Sequence, residues 1–154
     1  MDFESQLRLE RDAAVVRATL EAAGGRLVHR VADPDAPDAS VDPPGLYWAV
    51  IQPTEPDTKP FIVRTLWSVY PDRPPSLLFA ISVGGPTNVT SAWPAATGYR
   101  APNDVCKPFT AEGQDLHGEW TIGPQSWRSG GNPFLYVIEN VTDDINRVQG
   151  ARAA

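Results

Sequence analysis

The sequence predicts an α+β fold in which a helix at either end brackets four consecutive antiparallel strands. Three observations predict it. Apolar residues recur at helical spacing over residues 3 to 23 and again from Phe134 to Val148. Between these segments lie four short runs rich in β-branched and aromatic residues, separated by polar, proline-bearing connections. Sixteen prolines in 154 residues argue against a helical bundle and ask for many fixed corners.

In the first helix Leu9, Ala13, Val16, Leu20 and Ala23 form one stripe, with Arg8, Arg11, Arg17 and Glu21 off it. Glu4 and Arg8 stand at the spacing of a favourable i,i+4 pair, and Gly24-Gly25 ends the helix. Arg26 to Val31 alternates and suits a first strand. Asp33 to Pro44 reads as an acidic, proline-rich loop without an apolar anchor. Leu46 to Ile51 is the second strand and Phe61 to Trp67 the third, with Phe61, Val63, Thr65 and Trp67 on one face. Ser76 to Ile81 is the fourth, and the short connections make the set a meander.

Gly84 to Val105 has no periodicity, and an ordered loop of that length is usually functional. Cys106 stands at its end, and Trp93 within it reads as either a partner contact or a lid over the sheet. Lys107 to Arg128 is irregular, with Trp120 and Trp127 as packing anchors. Asn132-Pro133 is a cap residue followed by proline at the first helical position. Phe134, Ile138, Val141, Ile145 and Val148 then follow at spacings of four, three, four and three, and Gly150 closes the helix before a fraying tail. Nothing in the composition marks a second domain, so residues 1–154 are read as one.

The formal net charge is −6 and only two of the thirteen basic residues are lysines, which argues against nucleic acid as a partner. A single cysteine cannot form an internal disulfide, and one Cys with two distant His falls short of a zinc site. Neither Gly84-Gly85 nor Gly130-Gly131 matches a nucleotide-binding pattern. No bound cofactor is expected. The first ten residues carry three acids and no apolar core segment, unlike a signal peptide, and no run is long enough to span a bilayer. The expected compartment is the cytoplasm, with no membrane partner.

Tyr70-Pro71-Asp72-Arg73-Pro74-Pro75 joins the third and fourth strands. Each proline fixes φ and drives the residue before it out of the helical region, so this is a rigid, extended corner. A helix, a four-stranded meander, a Tyr-Pro-x-x-Pro-Pro corner, a long cysteine loop and a closing helix, in that order, resemble the ubiquitin-conjugating enzyme family over nearly the whole chain. The resemblance implies a UBC-like fold and a bacterial, divergent member, given the Ala, Arg, Pro and Asp bias. By position it makes Cys106 the thioester nucleophile, with a ubiquitin-like protein, its activating enzyme and a protein substrate as partners. Ala101-Pro102-Asn103 stands where the family carries His-Pro-Asn, which gives Asn103 the role of steadying the loop or the oxyanion. Trp120 follows the cysteine at fourteen residues, later than in the family.

Other readings of these residues stand beside that one. A cysteine often only fills space. Here Asn103, Asp104, Lys107 and Pro108 place it in a loop, where Lys107 favours the thiolate and Asp104 opposes it. His117, eleven residues on, is either an exposed loop histidine or a group that deprotonates an incoming amine. His29 reads as structural. A non-catalytic protein-binding module of the same fold and a thiol hydrolase acting alone are the competing functional classes.

Overall fold

The computed structural model describes residues 1–154. Helix α1, Phe3–Ala22, opens at Asp2, whose Oδ1 accepts the backbone N–H of Ser5 at 2.8 Å. Its buried stripe is Leu9, Ala13, Val16 and Leu20, as the spacing predicts, but Asp12 is buried with them at 4% exposure, while Ala23 is exposed. The helix stops where Gly24 takes φ 85° and the Gly25 N–H returns to the Leu20 carbonyl at 2.8 Å. The expected Glu4–Arg8 pair does not form. Arg8 turns toward Asp12, 3.9 Å away, and donates to the Ser129 carbonyl at 2.9 Å. Fixed acceptors hold a long side chain better than a mobile exposed carboxylate does.

Four strands follow as an antiparallel meander in the order β1, β2, β3, β4: Arg26–Val28, Leu46–Ile51, Phe61–Leu66 and Ser76–Ala80. The registers Leu27↔Ala49, Ala49↔Val63 and Val63↔Phe79 align one inward row across the sheet. On β3 the period of two is complete, with Phe61, Val63 and Thr65 buried and Ile62, Arg64 and Leu66 half-buried. All six residues of β2 are buried, because its outer face is covered too. There Leu46, Trp48 and Ala80 form a small second cluster with Val28, Ile62, Leu66 and Val83 packed against it.

β1 ends at Val28 rather than Val31, because the chain is pulled off the sheet by Asp42. This carboxylate, 5% exposed, accepts the Arg30 backbone N–H at 2.8 Å, the Arg30 guanidinium at 2.7 Å and the Trp48 indole N–H at 3.3 Å. The loop read as lacking an apolar anchor is thus fastened by a polar one.

After the corner, where Tyr70 is fully buried, the irregular stretch proves to be structured. A two-stranded hairpin, β5 Tyr99–Arg100 and β6 Asp104–Val105, lies with β6 against β4, and helix α2 spans Ala111–Leu116. Trp93 is 0% exposed, with its ring 5.5 Å from that of Phe79 and its indole N–H on the Thr87 carbonyl, so it belongs to the core and not to a partner contact. Helix α3, Pro133–Arg147, starts at the Asn132 cap and packs across α1 on the inner face of the sheet. Its Phe134 ring meets Tyr47 at 5.3 Å and Trp67 at 5.5 Å. The tail, expected to fray as chain ends do, is instead tied down. Arg152 donates to the Pro60 carbonyl at 2.8 Å and stacks 4.0 Å over Phe61, and the Ala153 N–H reaches the Trp93 carbonyl.

Candidate functional site

Cys106 is the residue that follows β6, at the open end of the β5–β6 hairpin, and it is half-buried. Its backbone N–H donates to the Gly98 carbonyl at 2.7 Å, which extends the hairpin by one rung. Gly98 takes φ 87°, and a Cβ there would stand 2.8 Å from the Cys106 carbonyl oxygen, so the close approach requires glycine.

The turn beyond is fixed by Thr110, which is fully buried. Its hydroxyl lies 2.6 Å from the Val105 carbonyl and accepts the N–H groups of Lys107, at 3.2 Å, and Gly113, at 3.1 Å. One side chain therefore caps α2 and closes the turn that carries the cysteine. Sequence reading passed over Thr110. The signal was a threonine followed by Ala-Glu, the pattern of a cap and an acidic first turn.

The neighbours predicted to tune the thiol have other partners. Asp104 takes both arms of the Arg100 guanidinium at 2.6 Å. Lys107 reaches Asp144 of α3, with Nζ 3.5 Å from Oδ2, and lies 5.8 Å from the centre of the Tyr99 ring. Asp144 also accepts the Tyr99 hydroxyl at 2.7 Å and pairs with Arg147 at 3.2 Å. Burial, and then the charge of Asp144, push the Tyr99 phenol far above the ordinary tyrosine range.

Asn103 sits exposed in the hairpin turn, its N–H donating to the Arg100 carbonyl at 2.8 Å. Cys106 lies three residues along at the other end, about 10 Å of extended chain away. His117 caps the end of α2. Its Nδ1 is 2.7 Å from Glu119 Oε1, and its ring stacks on Trp120 at 4.0 Å and 17°. Neither Asn103 nor His117 forms a hydrogen bond to Cys106. His29 is held by the Leu46 carbonyl, 2.7 Å from Nδ1. No three His, Cys, Asp or Glu side chains converge as a metal site would need, and no helix is long and apolar enough to cross a membrane.

No family model, no curated protein and no solved structure matches this chain.

Proposed function

We propose that the chain is a ubiquitin-conjugating-enzyme-like carrier that holds the C-terminus of a ubiquitin-like protein on Cys106. The observation that carries the reading is the setting of the chain's one thiol: half-buried, directly after a hairpin, and held by its backbone rather than enclosed in the core. It is supported by the element order, a helix, a four-stranded antiparallel meander and a closing helix, together with the Tyr-Pro-x-x-Pro-Pro corner. In the first step the Cys106 thiolate attacks the thioester carbonyl of the modifier on its activating enzyme, whose own thiol departs. In the second an amine of the protein substrate attacks the new thioester, an amide forms and Cys106 leaves as thiolate. The work is placed in the cytoplasm and needs no bound cofactor.

The competing reading is a non-catalytic binding module of the same fold. It is favoured by the absence of any hydrogen bond from Asn103 or His117 to Cys106, and by the engagement of Lys107 and Asp104 elsewhere. The two part in one experiment. Full-length protein is purified from its own cells after acid quenching and run without reductant. The carrier gives a reductant-sensitive adduct whose mass is that of a small protein with a C-terminal glycine, and Cys106→Ser gives either none or a reductant-resistant ester. Wild-type protein that forms no adduct, even when supplied with activating enzyme, modifier and ATP from the same cells, refutes the carrier.

A further inference from the structure

The last rung of the β5–β6 hairpin joins Cys106 to Gly98, and beyond it the two strands part. A hairpin of two-residue strands is marginal by itself, so its open end needs a hold from elsewhere. Val105 is fully buried between the half-buried Asp104 and Cys106, so the alternation of the strand continues up to the cysteine. Tyr99, one residue after Gly98, and Lys107, one residue after Cys106, supply the hold.

Both side chains end on the same oxygen of a third residue. Oδ2 of Asp144 accepts the Tyr99 hydroxyl at 2.7 Å and lies 3.5 Å from Lys107 Nζ. Oδ1 is 3.2 Å from Arg147 Nη1, so each oxygen of the carboxylate is engaged. On its way to Asp144 the Lys107 stem passes close over the glycine: a Cβ on Gly98 would stand 3.0 Å from Lys107 Cδ. The ammonium lies 5.8 Å from the centre of the Tyr99 ring. Gly98, Tyr99, Lys107 and Asp144 thus form a closed clasp across the rung that carries the thiol.

Asp144 and Tyr99 are both buried. A buried carboxylate with its cation adds little net stability, because desolvation offsets the attraction, and a well-packed apolar group of similar volume often does as well. What the carboxylate supplies is a fixed place for two donors that flank the cysteine. We propose that Asp144 is a positioning residue for Cys106, which through Tyr99 and Lys107 holds the thiol in place for acyl transfer. The purpose of the clasp rests on the carrier reading, but its existence can be tested without it. The partners of Asp144 are Tyr99, Lys107 and Arg147, none of them the thiol, so it acts by placing the chain on either side of the sulfur.

The single cysteine gives a unique attachment point for a nitroxide label, read on the full-length chain by electron spin resonance. Asp144→Asn keeps an acceptor for the Tyr99 hydroxyl and removes the charge that holds Lys107. Lys107→Met keeps the stem and removes the ammonium. Each should narrow the spectrum of the label, which reports faster motion of the hairpin end. The double variant should narrow it no further than either single one, since both break the same link. Asp42→Ala, which loosens the connection between β1 and β2, should leave the spectrum at its wild-type width. In a second arm the adduct on unlabelled Cys106 is discharged to an amine. Asp144→Asn should slow that discharge by about tenfold to a hundredfold, the loss that a misplaced reacting atom brings. An unaltered spectrum in Asp144→Asn, additive narrowing in the double variant, or equal narrowing in Asp42→Ala would each overturn the proposal. So would discharge at the wild-type rate by Asp144→Asn. A wild type that forms no adduct would refute the carrier reading alone, and the spectra would still decide whether Asp144 holds the thiol.

Discussion

Tyr70, at the corner between β3 and β4, donates its hydroxyl to Asp12 of α1 at 2.5 Å, and both are buried. The bond joins residues 58 apart in sequence and fastens the first helix to the sheet. The same hydroxyl lies 3.4 Å from the Phe134 backbone N–H, and the Asn132 side chain donates to the Asp12 carbonyl at 3.1 Å, so the start of α3 is tied in as well.

Tyr70→Phe keeps the ring in the core and removes only the donor. Asp12 then loses its shortest hydrogen bond inside the protein. The expected cost is about 1–3 kcal/mol, the penalty for a buried acceptor left short of a partner. Urea denaturation of the wild type and the variant measures it. Equal midpoints would show that Arg8 and Arg11 satisfy Asp12 without the phenol.

Alkaline pH should unfold the protein through its tyrosines. Burial is the first cause raising Tyr47, Tyr70 and Tyr99 above the ordinary value near 10, with Asp12 and Asp144 adding to it at the last two. The folded state then holds protons that the unfolded chain releases. This stability is fully present below about pH 10 and is lost as pH rises past it, at up to about 1.4 kcal/mol per pH unit for each tyrosine. Denaturation midpoints measured upward from pH 8 should fall, and Tyr99→Phe should flatten the slope.

Asp42→Ala should release the connection between β1 and β2. It leaves Arg30 without its partner and the Trp48 indole without its acceptor. Arg30 keeps access to water, so the loss is about 1–3 kcal/mol rather than the roughly 3–5 kcal/mol of a fully enclosed pair. Burial alone would raise the Asp42 carboxyl, but the Arg30 side-chain and backbone hydrogen bonds outweigh it and hold it below its ordinary value. The contribution is therefore present above about pH 4 and falls away as acid is added below that. Acid titration of the wild type should show this loss, and Asp42→Ala should lack it.

His117→Ala should leave the reactivity of Cys106 unchanged. The imidazole is occupied by Glu119 and stacked on Trp120, not by the thiol. The rate of alkylation by iodoacetamide, followed by mass spectrometry across pH 6 to 9, reports this directly. A variant whose rate profile shifts would bring the histidine back to the cysteine.

Patterns carried within a few residues were legible in the sequence. The bounds of β2, the alternation of β3 and the Asn132-Pro133 start of α3 all appear as the spacing predicts. Long-range polar partnerships were not. Asp12 drew no reading, and Asp42 lay in a loop read as lacking an apolar anchor, because Tyr70 and Arg30 become their partners only after folding. The two-residue strands β5 and β6 are too short to show any period, so their hairpin was hidden in an apparent loop. At the candidate site the position of Cys106 at the end of that stretch was legible. The engagement of Lys107 was not, since Asp144 lies on the other side of α2 in the chain.

Asp144 gathers the Tyr99 hydroxyl, Lys107 and Arg147 on a single carboxylate near the end of α3. Tyr99 precedes the turn of the hairpin and Lys107 follows the cysteine, so the strand ends on both sides of the thiol are moored to one point. Together with the Gly98 carbonyl and the Thr110 hydroxyl, this carboxylate sets where the thiol stands. The last turn of α3 therefore reaches, through Lys107, to within one residue of the thiol, and the closing helix helps to frame the cysteine as well as the core.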